Sequence, residues 1–306
     1  MATAEVLQFN ADVKDVTDIV NKTVFLKVRF GSLGNYRKVS DSVLNTDADK
    51  ELLKVSKTLL DSEELEAIRK ADGKLRTYLY QTCLPFDIGI MLLPTGLIST
   101  VQAKLIEYKQ QREQLVSNFV AAYPSLCEKA SMRLGSLYNP LDYPSSEVVS
   151  SKFVFDWQYI SFSVPGQLKG VSAELFSAEQ QKVEKLMNQA AEDITLLMRQ
   201  TLLEMVSNLQ ERLSTKDDGK PKVLRESTIK NLQNFLNTFD LRNVTNDKEL
   251  AAQVAKCRAL VAGTNAEALR NSDVFREKIR TGMSEISSAL STMVVEKAGR
   301  KFRTDD

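Results

Sequence analysis

The chain has 306 residues, 43% of them hydrophobic, enough to bury a sizeable core in one large or two ordinary domains. Its 41 basic and 40 acidic residues nearly cancel, which excludes an overall field of one sign that would draw in nucleic acid, anionic lipid or an acidic substrate over long range. Histidine is absent, and with it go serine-histidine triads, cysteine-histidine dyads and histidine-ligated zinc or iron.

Met1 to Asn10 has neither a positively charged start nor a continuous apolar stretch, and no eighteen apolar residues run together anywhere, so neither secretion nor a membrane span is expected. Residues 11–22 read as weakly helical. Thr23 to Phe30 (TVFLKVRF) alternates apolar and charged side chains at the period of a half-buried strand, which Gly31 and Gly34 end. Ser62 followed by Glu63 and Glu64 opens a helix whose Leu65, Ile68, Ala71, Leu75 and Leu79 recur at helical intervals, with Pro85 limiting it. Phe86 to Leu93 (FDIGIMLL), bounded by Pro85 and Pro94, is expected to be one short buried strand.

From Leu97 the spacing turns helical again, with Val101, Leu105, Tyr108, Leu115 and Phe119 on one side, Lys104, Lys109 and Arg112 on the other, and a stop near Pro124. Ser131 to Ser150, with Pro140, Pro144 and a Ser-Ser pair, reads as an irregular crossing segment with one helical turn. Lys152 to Val164 (KFVFDWQYISFSV) is the clearest strand, with Phe153, Phe155, Trp157 and Tyr159 on one face. Ser177 and Gln180 form a capping-box pattern ahead of a stripe from Val183 to Leu213, a helix about 55 Å long at the standard rise. That stripe serves either an intermolecular coiled coil or internal packing against the helix from Leu97 and the terminal helix, and its width favours the latter. Ser214 to Lys222 (STKDDGKPK) is an exposed turn or linker. Helices follow over Ser227 to Phe239, Asp247 to Ala262 with Gly263 as the stop, and Asp273 to Ala298, with Asn246 and Ser272 as N-caps.

The expected fold is therefore mainly α, with long helices, a terminal helical bundle and a small β-sheet. Its expected organisation is a mixed helix and sheet region over 1–176, a long connecting helix over 177–213 and a helical bundle over 223–306.

TVFLKVRFGSLGNYRKV, LPFDIGIMLLP, KFVFDWQYISFSVP and the terminal stretch from Leu224 to Ile279 together resemble a phage and bacterial family known as a domain of unknown function. The resemblance is most specific in the terminal array containing Leu232, Phe235, Asn246, Asp247, Leu250 and Arg270; Phe30 stands where many relatives are expected to carry tryptophan. Members of that family are often encoded near MoxR-type AAA+ ATPases and proteins with von Willebrand factor A domains. The resemblance thus implies an adaptor or client-handling partner of such an ATPase in the cytoplasm of a bacterial or phage-infected cell, and it carries over no catalytic residue and no cofactor.

Residue types with chemical potential have bland readings beside the sharp ones. Phe153, Phe155, Trp157 and Tyr159 could stack on unpaired bases, but without interleaved arginines and lysines core packing is favoured. Lys297, Arg300, Lys301 and Arg303 could meet phosphates, yet Glu296, Asp305 and Asp306 beside them weaken the field. Asp87, Asp142, Glu147 and Asp156 lack the paired spacing of a magnesium site. Gly31-Ser-Leu-Gly34 and Asp72-Gly73-Lys74 lack a full phosphate loop. Cys83, Cys127 and Cys257 read as buried, reduced thiols.

The expectation for function is a non-catalytic interaction protein that engages an AAA+ ATPase or copies of itself through helical faces. Lys104, Lys109, Arg112, Lys297, Arg300, Lys301 and Arg303 are the candidate interaction surface. Nucleic-acid binding and a histidine-free metal enzyme built on Asp, Glu, Lys, Tyr or Cys are the alternatives.

Overall fold

A computed structural model describes residues 19–40, 43, 46–49, 52–161, 164–215 and 222–294. In chain order it places α1 (19–22), β1 (Thr23–Phe30), β2 (Tyr36–Lys38), β3 (Ser56–Thr58), α2 (Glu63–Thr82), β4 (Leu84–Asp87), β5 (Ile90–Pro94) and α3 (Ile98–Leu134). Next come α4 (Ser146–Lys152), β6 (Phe155–Ile160), α5 (Leu168–Val171), α6 (Ala173–Leu213), α7 (Glu226–Arg242), α8 (Lys248–Val261), α9 (Ala266–Asn271) and α10 (Asp273–Met293). The fold is mainly α with two small sheets, one ordered β4-β5-β1-β6 and one an antiparallel β2-β3 pair.

The chain divides into two compact units, one of Met1–Phe25, Gln81–Leu97 and Ser161–Asp306, the other of Leu26–Tyr80 and Ile98–Ile160. In the first, α10 lies against α6 in the opposite direction, since Ser207 bonds Ser287 at 3.1 Å and Arg199 reaches the Met293 carbonyl at 3.1 Å. Met187, Ala190, Ile194, Met198, Leu202, Val206 and Leu209 line the buried stripe of α6, meeting Ile279, Met283, Ile286 and Leu290 of α10 and the apolar face of α7. The expected packing of the long helix on the terminal helix within one chain is thus present. Gly282 makes close approach possible, because a Cβ there would stand 2.6 Å from Leu260 Cδ2 of α8.

The second unit packs α2, α3 and α4 with Phe153 around Leu65, Ile68, Phe119, Tyr123 and Val149. Phe119 meets Phe153 edge-on, with ring centroids 5.4 Å apart.

Several sequence expectations are corrected. The apolar run after α2 is a hairpin and not one strand: Ile88 and Gly89 turn between β4 and β5, Gly89 at φ +76°, and both prolines lie within the strands. Pro124 does not stop α3, which continues ten residues beyond it to Leu134. Residues expected to be irregular hold two 3₁₀ turns and α4, whose N-cap Ser145 accepts from the Val148 amide. The cap of α6 is Ser172, accepting from the Leu175 amide, so the helix begins earlier than the Ser177 box implies and runs about 62 Å. Asp247, and not Asn246, caps α8; Asn246 takes φ +53°. Ser272 caps α10, and Gly263 at φ +68° ends α8, both as expected. The short helix α9 had no counterpart in the sequence reading. Residues 11–18, most of the 214–222 linker and everything after 294 lie outside the described residues. Among the described residues no helix is long and apolar enough to cross a membrane.

Candidate functional site

Three of the expected surface cations lie on α3. Lys104 sits on the surface with Glu107 at 3.0 Å, and Lys109 is exposed. Arg112 belongs to no surface: its side chain is 2% exposed, which removes it from the expected basic face. The reason is its place in the helix, four residues after Tyr108 and seven after Leu105, within the buried stripe that runs through Val101, Leu105, Tyr108 and Phe119. Lys297, Arg300, Lys301 and Arg303 lie outside the described residues.

Arg112 instead centres a buried polar cluster in the second unit. Its Nε donates to Asp72 Oδ1 at 2.9 Å, Nη1 to the Phe153 carbonyl at 2.8 Å and Nη2 to the Gly31 carbonyl at 2.6 Å. Asp72 comes from the buried face of α2, and the Tyr108 hydroxyl donates to the same carboxylate oxygen. Burial first, then the bond to Asp72, pushes the Tyr108 phenol well above its ordinary value. A cation and a carboxylate removed from water are tolerable only when their remaining hydrogen-bonding capacity is filled, and here backbone carbonyls and a phenol fill it. The cluster ties α2, α3, the end of β1 and the start of β6 together. Gly31 is required at the crossing, since a Cβ there would stand 2.4 Å from the Lys152 carbonyl oxygen. Phe30, beside it, packs against Phe155 at 5.3 Å and under Arg76 at 4.3 Å.

The first unit has its own charged tie. Arg199 of α6 grips Asp247 with bonds of 2.7 and 3.1 Å and reaches Glu249 at 2.9 Å. Asp247 also accepts from the Leu250 amide as the cap of α8. Burial alone would raise the Asp247 carboxyl, but the bonds from Arg199 and from backbone amides outweigh it and hold it below the ordinary carboxylate value. Arg242, 4% exposed, lies over the Phe235 ring at 5.6 Å with its Nε lacking a hydrogen-bond partner, and burial lowers it to about 10.

The other candidates fall into ordinary roles. Phe153 and Phe155 are buried, as core packing requires, while Trp157 and Tyr159 both donate to Gln102 Oε1 at 2.9 Å. Asp142 pairs with Lys57 at 2.7 Å and Asp156 with Arg29 at 2.7 Å; Asp87 accepts from the Ile88 amide, and Glu147 lies in the first turn of α4. Among the described residues no group of three such side chains is placed to hold a metal ion. Burial pushes the thiols of Cys83 and Cys257 up to about 12, whereas Cys127, expected to be buried, is only half-buried. A cleft in the first unit is lined by Arg212, Lys222, Arg270 and Arg276, which sequence spacing did not bring together.

Fold and polar clusters together define a mainly α protein whose units are braced internally by buried charge. The chain belongs to the family described as a protein of unknown function (DUF3150), which residues 22–260 match. No curated protein and no solved structure matches it. The family match covers β1 through most of α8 and ends before α9 and α10.

Proposed function

We propose that this chain is a non-catalytic interaction protein, an adaptor or assembly factor that presents helical surfaces to a protein partner. The partner class is a MoxR-type AAA+ ATPase, with a second copy of the chain as the alternative occupant. The observation that carries this reading is the fate of the most elaborate polar cluster: Asp72, Tyr108 and Arg112 are satisfied by one another and by backbone carbonyls inside the core. Such a cluster braces helices, its polar atoms occupied by one another and by the backbone inside the core. The buried thiols of Cys83 and Cys257, raised to about 12, are likewise poor nucleophiles at neutral pH.

The test is recovery of the full chain from its native cell, followed by mixing with a MoxR-type AAA+ ATPase of the same cell and light scattering of the mixture. A stable complex, or a defined oligomer of the chain, supports the reading. A monomer that ignores the ATPase overturns it, as does substrate turnover by the purified chain that a carboxylate substitution abolishes.

A further inference from the structure

Four cationic side chains from separate segments of the first unit converge on a cleft of about 320 Å³: Arg212 near the end of α6, Lys222 ahead of α7, Arg270 in α9 and Arg276 in the first turn of α10. Two of the guanidiniums are held by backbone carbonyls. Arg270 donates to the Leu224 carbonyl at 2.7 Å, and Arg276 to the carbonyls of Leu269 at 3.1 Å and Arg270 at 3.2 Å. A carbonyl fixes the direction of a guanidinium without cancelling its charge, so these arginines are oriented and still cationic.

The acids nearby stand at the rim. Glu211, 65% exposed, is 3.3 Å from Lys222, and Asp273, 94% exposed, is 3.4 Å from Arg276. Both acids lie in solvent, where salt screens these pairs, although the Arg276 side chain itself is 12% exposed. Among the described residues Arg212 has no ion pair and no carboxylate lines the cleft. Among the described residues the four cations have two acidic partners, Glu211 and Asp273, an excess of two positive charges and the complement of a phosphate dianion. Leu224 and Leu269 give the floor apolar surface, and the volume exceeds what one phosphate needs, at the lower end of small-molecule sites of about 300–1,000 Å³.

We propose that this cleft binds a phosphate group carried on a small organic body, as in a nucleoside monophosphate, with inorganic phosphate as the weaker form of the same ligand. The Arg212 fork takes two oxyanion oxygens at once with the Lys222 ammonium beside it, the carbonyl-held Arg270 and Arg276 add positive potential, and the apolar lining takes the body. The proposal stands apart from the reading of the chain as an adaptor, because its test uses the purified chain alone.

That test is isothermal titration of the full chain, in phosphate-free buffer of low ionic strength, with adenosine monophosphate, inorganic phosphate and a single-stranded oligonucleotide. One-to-one binding of the monophosphate, tighter than inorganic phosphate, is expected. Arg212→Gln with Lys222→Gln weakens it by about tenfold or more while the circular dichroism spectrum is unchanged. Glu211→Gln with Asp273→Asn acts in the opposite direction, tightening it by about two- to threefold. Absence of binding by both phosphate probes, an unchanged affinity in the folded Arg212→Gln/Lys222→Gln variant, or binding of the oligonucleotide alone overturns the proposal.

Discussion

Arg112 and Asp72 are the residues on which the second unit turns. Each occupies a position of its helix that helical spacing assigns to the core, Asp72 among Leu65, Ile68, Leu75 and Leu79, and Arg112 among Val101, Leu105, Tyr108 and Phe119. Two opposite charges at core positions of two helices are a signal of a buried pair that is legible in the sequence, because the apolar stripes of both helices run through the charged positions. Arg112→Met is expected to cost about 3–5 kcal/mol in urea unfolding, because it strands the Asp72 carboxylate and two backbone carbonyls. Adding Asp72→Leu to that variant is expected to recover part of the loss, since the orphaned charge goes while the carbonyls of Gly31 and Phe153 stay unpaired. The cysteines give a second check at this scale. With thiols raised to about 12 by burial, Cys83 and Cys257 should resist a thiol reagent at neutral pH until the chain unfolds, and Cys127 should react first.

At the scale of elements, turn chemistry and proline account for the departures from expectation. FDIGIMLL reads as one buried strand if its glycine is ignored; Gly89 at φ +76° with exposed Ile88 makes it a two-residue hairpin turn. Pro124 fails to end α3 because buried Phe119, Tyr123, Leu126 and Ala130 continue the apolar stripe past it. Packing of that stripe outweighs the lost hydrogen bond to the Val120 carbonyl. Pro124→Ala, at an exposed position, is therefore expected to stabilise the protein by about 1–2 kcal/mol, the restored bond exceeding the entropy that proline removes from the unfolded chain. A rise in thermal midpoint checks it, and a fall would show that the helix is built around the proline.

At the scale of the molecule, the near balance of charge leaves stability to local ties, and the tie between α6 and the start of α8 has a defined pH dependence. The folded Asp247 carboxyl lies below its unfolded value. Its contribution is present in full above the unfolded value, about 3.9 for an aspartate, and is lost as pH falls through the lower folded value. Asp247→Asn should thus lower the urea midpoint clearly at pH 7, with the gap to the parent chain closing as pH falls through the lowered folded value. A gap that stays constant with pH would mean that the cap, which asparagine preserves, carries the effect and the ion pair does not.

What the sequence determined by itself is the class of fold: apolar periodicity placed β1 to the residue, most of the cores of α2 and α6, the presence of α7 and α10, and buried Phe155 of β6, because burial of a repeating face is a local property of spacing, while Tyr159 on the same expected face is exposed. It also removed histidine chemistry outright, since composition needs no coordinates. Only the tertiary structure decided that Arg112 is a brace and not a surface cation, and that Arg212, Lys222, Arg270 and Arg276 meet at one cleft. Those four side chains span more than sixty positions of the chain, and no periodicity of one helix encodes which residues of others will face it once the core has closed.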